Sequence, residues 1–397
     1  MGTDTLPAKD QAVDRLPDPM LPWRLLIGVI AVATILGCVV CATIYYLNER
    51  TPLTDFPLVE PVVKAVPPHY LFSIYGVSEP HGVTVSPDGR RIYVVETDGQ
   101  RALKIFDRYG QALGSFTPPK VSVFSRAPDY VALDRLGRLF VSDRIRHTID
   151  IYAADGSYIG EFPPPELIDE LPGLGHTLHR GTAADSAPTW GGSAWQYDPV
   201  TNDIGLYTES GEFIEQFPKP GGKFWSPLGV AFDPNGYFYV TDVTGDHHRV
   251  IVFDTEGQPI RQFGRTGEAF GQFLFPNSAI SNGRGWIYVS DGNNGRIQAF
   301  SKVGRLRFAL GRSSGDAALN LPRGIALDDS NRLYVVDTVG HHVLVFDVSD
   351  QPRLLFTFGE PGWGDGQFGY PTAIAVDRTG RLYITDRINN RVQVWSY

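Results

Sequence analysis

Eight of the nine histidines, His81, His147, His176, His179, His247, His248, His341 and His342, sit close to a segment start or just behind an aspartate that ends a short apolar run. Imidazole is the commonest protein metal ligand and titrates near neutrality, so a converging set could hold a metal ion or shuttle protons. A second group, His81, Asp129, Arg180, Asn277 and Arg323, takes the same relative place in successive segments. Guanidinium groups gathered at one place would bind a carboxylate or phosphate through bidentate contacts. The pairing Asp143…His147, Asp242…His248-Arg249, Asp291…Arg296, Asp337…His342 and Asp386…Arg391 also suits a repeated hydrogen bond that fixes a turn. Catalysis needs asymmetry, whereas a feature repeated this evenly points to structure.

What positions these residues is a motif returning about every 48 residues. Its clearest copy is Pro322-Arg-Gly-Ile-Ala-Leu-Asp328, Asn331-Arg-Leu-Tyr-Val-Val-Asp337 and His342-Val-Leu-Val-Phe-Asp347. Other copies start at Pro80, Pro128, Pro227, Pro276 and Pro371, and a degenerate one, His179-Arg-Gly-Thr-Ala-Ala-Asp185, fills the long gap after Pro128. Each copy holds a wholly apolar run, a turn with Gly at its tight position, and two alternating runs, which are three short strands; a Phe-ending run supplies a fourth. Seven even repeats of this size predict an all-β, seven-bladed propeller over 70–397, with blade three, carrying the long segment 163–188, the least regular. The last copy stops after its third strand, and Tyr70–Tyr75 supplies the missing outer one, so the ring closes without an open edge.

The chain carries 35 Lys and Arg against 44 Asp and Glu, a net charge of −9, which excludes a bulk nucleic-acid binder. Both cysteines, Cys38 and Cys41, lie in an uncharged apolar run from Leu25 to Leu47, so the propeller has no disulfide to form. That run is long enough to span a hydrocarbon core and is flanked by Trp23, Tyr45 and Tyr46, which predicts one transmembrane helix over 23–47. A lipoprotein reading of Ile35-Leu-Gly-Cys38 competes, but the chain stays apolar beyond Cys38. Residues 1–22 then form a disordered tail and 48–69 a Pro-rich stalk, and the basic residues before the span weakly favour a single-pass membrane protein with its propeller outside the cytoplasm.

The pattern Pro-x-Gly-Val-Ala-x-Asp, Gly-x-Leu-Tyr-Val-x-Asp, Asn-Arg-Val-Gln-Val-Phe resembles the NHL repeat, and Gly271-Gln-Phe-Leu-Phe-Pro276 and Gly366-Gln-Phe-Gly-Tyr-Pro371 match its connecting loop. The segment from Pro80 also resembles YVTN-type and streptogramin-lyase repeats. These resemblances imply a propeller with a loop-bearing binding face, not a reaction. The peptide-amidating lyase is similar in its repeats but carries Pro-His at three inner-strand starts to hold zinc; here only Pro80-His81 fits. The streptogramin-lyase pattern matches once, at His81 and Glu96. No catalytic residue, cofactor or metal site is therefore assigned. The expected function is that of a membrane-anchored, non-enzymatic scaffold, sensor or binding module. Its partner would be a protein, peptide or anionic surface polymer, contacted through His81, Asp129, Arg180, Asn277 and Arg323 at the mouth of the central channel. A metal-dependent lyase or hydrolase is the competing expectation.

Overall fold

The computed structural model describes residues 34, 36, 37, 40, 67–163, 193–198, 203–208, 213–216, 225–245, 247–311, 317–349 and 351–397. The chain divides into two compact units, Met1–Leu53 and Thr54–Tyr397. In the first, Thr34, Leu36, Gly37 and Val40 are helical. Among the described residues no helix is long and apolar enough to cross a membrane, so the transmembrane helix expected over 23–47 is not supported. The tail 1–22 and nearly all of the stalk 48–69 lie outside the described residues.

The second unit is a propeller of six four-stranded antiparallel blades. Blade 1 runs from its inner strand Pro80–Val85 through Arg91–Glu96 and Leu103–Asp107 to its outer strand Ala112–Phe116. Blades 2 to 5 have inner strands Pro128–Leu133, Pro227–Phe232, Pro276–Ser281 and Pro322–Leu327 and outer strands Tyr158–Phe162, Pro259–Phe263, Leu306–Leu310 and Arg353–Phe358. Blade 6 takes Pro371–Val376, Leu382–Asp386 and Arg391–Ser396 from the end of the chain. Its outer strand is His69–Ile74, paired antiparallel from His69↔Ser396 to Ile74↔Val392. The ring is closed as the sequence led us to expect.

The expected count of seven blades is wrong, and the seam between blades 2 and 3 shows why. Ser142 Oγ of blade 2 donates to the Leu228 carbonyl of blade 3 at 2.6 Å. Phe162, the last residue of blade 2, packs edge-on against Phe238 and Phe253 of blade 3, with ring centroids 5.3 and 5.1 Å apart. These blades are direct neighbours although about sixty residues separate their strands in sequence. The intervening segment forms its own three-stranded sheet, Ser193–Asp198, Asp203–Thr208 and Phe213–Gln216. Its proposed inner strand, 179–185, lies outside the described residues. In sequence it also lacks what a blade needs: Ser210 stands where each true blade ends its second strand in Asp or Glu.

The seams between blades are of two kinds, and they alternate. From blade 1 to 2, 3 to 4 and 5 to 6, the glycine of the Pro-x-Gly motif lies against the next inner strand. A Cβ on Gly82 would meet the Asp129 carbonyl at 2.8 Å, on Gly229 the Asn277 carbonyl at 2.2 Å, and on Gly324 the Ala373 Cα at 2.5 Å. From 2 to 3, 4 to 5 and 6 to 1 that place is filled by Tyr130, Ser278 and Ala373, and a hydroxyl bridges the gap. Ser142, Ser290 and Thr385 each accept from an amide of their own inner strand and donate across to the carbonyl of Leu228, Arg323 or His81.

Replacing Gly229 with Ala forces a methyl group into backbone and should cost about 1–3 kcal/mol, the usual range for overpacking. Gly160, on an outer strand with open space around it, should accept Ala within about 0.5 kcal/mol. Chemical denaturation of the two variants checks both.

Candidate functional site

Each second strand carries an acid at or near its end, and that acid ties down the loop entering its own blade. Asp143 Oδ1 accepts the amides of Ala127, Ile145 and Arg146, each at 3.0 Å. Asp242 accepts Ser226 N at 2.8 Å, Asp291 accepts Leu274 N at 2.7 Å, Asp337 accepts Leu321 N at 2.9 Å and Asp386 accepts Gly369 N at 2.6 Å. In blade 1 the role passes to Glu96, which accepts Ser78 N at 2.9 Å and pairs with Lys104 at 3.0 Å. These contacts bring the outer-to-inner loops and the second-to-third turns onto one face.

In blades 4 and 6 an arginine extends the clamp. Arg296 donates its Nε to Asp291 at 2.7 Å, and its Nη atoms reach the carbonyls of Glu268, Ala269 and Gln272. Arg391 repeats this with Asp386, Gly364 and Gln367. Arg249 pairs with Asp242 at 2.8 Å. The turn-fixing reading therefore holds for the arginines, but not for His147, which meets Ser226 Oγ at 3.0 Å, and His342 lies a long 3.8 Å from Asp337.

The histidines of this face do not converge. His147 and His341 hold φ near +53° and +56°, the left-handed turn position that Gly295 and Asn390 fill in other blades. His341 and His248 each set Nδ1 against the loop entering the next blade, and their rings pack on Tyr370 and Phe275. Burial, and then Arg249 and His248, push the His247 imidazole down to about 3, so it stays neutral. His176 and His179 lie outside the described residues. Among the described residues no three His, Cys, Asp or Glu side chains are grouped to hold a metal ion.

At the channel mouth the second residue of each inner strand forms a ring: His81, Asp129, Leu228, Asn277, Arg323 and Thr372. Arg180 lies outside the described residues and the segment carrying it is not a blade. Asn277 spends its amide on the Phe275 carbonyl at 3.0 Å. Three residues do meet. Arg323 Nη1 reaches over from blade 5 to His81 Nε2 at 3.0 Å, and His81 Nδ1 closes on Asp129 Oδ1. A guanidinium has no acceptor, so Nε2 must accept and Nδ1 must carry the proton. The contact fixes the tautomer of His81 and occupies its Nε2 lone pair. Burial acts to raise the Asp129 pKa, but His81, Arg144 and Arg323 outweigh it and the carboxyl stays below its ordinary value. Below the mouth runs a channel of about 240 Å³ lined by Val83, Val85, Tyr130, Val230, Ile325 and Ile374 among others.

The same face also carries large apolar groups that sequence reasoning passed over. Trp363 is 75% exposed and Phe270 62%, and Tyr75, Phe275, Tyr370 and Ile388 are exposed as well. The available signal was an aromatic residue directly before the motif proline, as in Phe275-Pro276 and Tyr370-Pro371.

A family model for the NHL repeat matches residues 224–253, 319–346 and 368–395, within blades 3, 5 and 6. Three of the six blades thus carry NHL repeats. A segment of 140 residues, 35% of this chain, is 32% identical to 13% of the protein brain tumor of Drosophila melanogaster. Over 234 residues, 52% of this chain, it is 26% identical to 64% of pgal-1 of Caenorhabditis elegans, named as a probable peptidyl-alpha-hydroxyglycine alpha-amidating lyase. The chain thus spans less than two thirds of the length of either relative. Among solved structures a streptogramin B lyase has the same fold at TM-score 0.51 and 14% identity, over 83% of this chain and 98% of that one. Among the six mouth positions of the described blades, His81 is the one histidine.

Two further arginines of this face, Arg146 and Arg249 in the second-to-third turns, spend their charges inside a blade. Arg249 is engaged as above, and Arg146 lies among Asp150 at 2.6 Å, Asp143 at 4.0 Å and Glu161. Burial pushes Asp150 up to about 6, against the pull of Arg146. Its folded-state pKa exceeds the unfolded value of about 3.9, so the folded form keeps a proton that the unfolded form gives up, and stability falls as pH rises between about 4 and 6. Asp150→Asn should remove that slope, so that the variant's stability relative to wild type rises by about 1–3 kcal/mol from about pH 4 to above about pH 6. Denaturation curves at a series of pH values test it.

Proposed function

We propose that this NHL propeller is a docking module that holds a protein or peptide against its loop-bearing face. The observation that carries the reading is the exposed aromatic residues on two loops of that face, Phe270 and Phe275 entering blade 4 and Trp363 and Tyr370 entering blade 6. Exposed aromatic groups on pinned backbone lose little entropy on contact and supply the anchors typical of protein interfaces. Arginines gathered on this face give no comparable support for an anionic polymer, since Arg146 and Arg249 are committed within their blades. A lyase reading finds less: His81 is a single candidate base and Arg323 occupies it.

A photo-crosslinking residue placed at Phe270 or Trp363 should capture a partner in cells, and one at Leu136, exposed on the opposite face, should not. Phe270→Asp combined with Trp363→Asp should abolish capture while leaving stability within about 1 kcal/mol, as for exposed positions. Capture through Leu136 that survives the double variant would place the partner on the other face and overturn the reading.

A further inference from the structure

The mouth of the channel holds polar groups that the fold does not use. Arg323 has five N–H donors, and among the described residues its side chain makes one contact, to His81. Its Nε is buried with no hydrogen-bond partner, and so is the Oη of Tyr130, whose ring is 5% exposed and packs edge-on to His81 at 5.8 Å. Burial raises the Tyr130 phenol far above its ordinary range, so Oη carries its proton and can donate. Buried donors left without partners are rare in folded proteins and each one calls for a reason.

The surrounding charge says what these donors would take. His81 lies between Asp129 and Arg323, the Asp129 carboxyl is held below its ordinary pKa, and Arg323 and the exposed Arg144 both act on it. Two guanidinium groups against one carboxylate leave a single positive charge at the opening of the channel. The orientation of Arg323 is set in advance, because the Asp129–His81 pair offers it a fixed acceptor. Thr372, the mouth residue between them in the ring, is small and turns its hydroxyl to the His81 carbonyl at 2.9 Å. The way between blades 5 and 1 is therefore open.

We propose that the channel mouth is a binding site for a single carboxylate, held by Arg323 and the Tyr130 hydroxyl and oriented by the Asp129–His81 pair. Donors in a planar fork match a carboxylate, and one negative charge neutralises the opening. The carboxylate can belong to a small free acid or to the end of a docked peptide. The proposal gives the docking reading a ligand chemistry, but its test uses small probes and does not depend on the apolar face, so either can fail without the other.

The test is a titration followed on the arginine Nε–H signals of ¹⁵N-labelled full-length protein, with acetate, N-acetylphenylalanine and N-acetylphenylalaninamide at constant ionic strength. The Arg323 signal should shift saturably with the two acids and not with the amide or with chloride. If N-acetylphenylalanine binds about tenfold or more tightly than acetate, the source is a peptide end; equal binding identifies a free small acid. Arg323→Lys and Tyr130→Phe should each weaken binding about tenfold or more, the loss expected for one hydrogen bond to a charged group. The tyrosine variant carries the test if the lysine variant fails to fold. Absence of a saturable shift, an equal shift with the amide, or unchanged affinity in the folded variants would overturn the site.

Discussion

The inner strands of neighbouring blades approach so closely that each seam must be either glycine against backbone or hydroxyl against carbonyl, and the ring alternates the two. Gly82, Gly229 and Gly324 leave no room for a side chain. Ser142, Ser290 and Thr385 supply a bridge where the neighbouring position is filled. A serine or threonine that accepts one bond and donates another satisfies two backbone groups at the core of the ring, where water cannot. The structural unit is therefore a pair of blades taken three times. An odd ring would have to set two like seams side by side.

From that frame the loop face follows. In blades 2, 4 and 6 the clamping carboxylate lies one residue beyond the seam hydroxyl, and in every blade it fastens the loop entering its own blade. Because amides and carbonyls of these loops are satisfied by Asp291, Arg296 and Gln298, or Asp386, Arg391 and Gln393, their side chains are released for other use. Phe270 and Trp363 can stand in solvent without loosening the backbone beneath them. The same seams aim His81, Asp129 and Arg323 at the channel, since the carbonyls of His81 and Arg323 are held from behind.

Much of this was written plainly in the sequence. The inner strands, the glycine turns, the closing strand at the start of the propeller and the acid-base pairing of the arginines all follow from spacing and residue type. The blade count did not, because residues 179–217 share strand composition with true repeats, and composition is not what earns a place in the ring. The ordered series Gly82, Tyr130, Gly229, Ser278, Gly324, Ala373 alternates glycine with a larger residue, and Gly181 would break it. The contact of Arg323 with His81 was beyond reach, since those residues lie 242 positions apart and meet only once the ring order is known. The mouth as a whole was legible as a set of places; which charges are free there depended on partners inside each blade, as Arg146 and Arg249 show.

The strand that completes blade 6, His69–Ile74, precedes every other strand of the ring, and its partner Arg391–Ser396 comes last. During synthesis at about 5–20 residues per second, the first must wait on the order of tens of seconds for the second to emerge. For that interval an amphipathic strand with unpaired amides is presented to the cell while five blades can already form behind it. The joint that makes the finished ring free of edges is thus also the one step of its assembly that no local folding can advance.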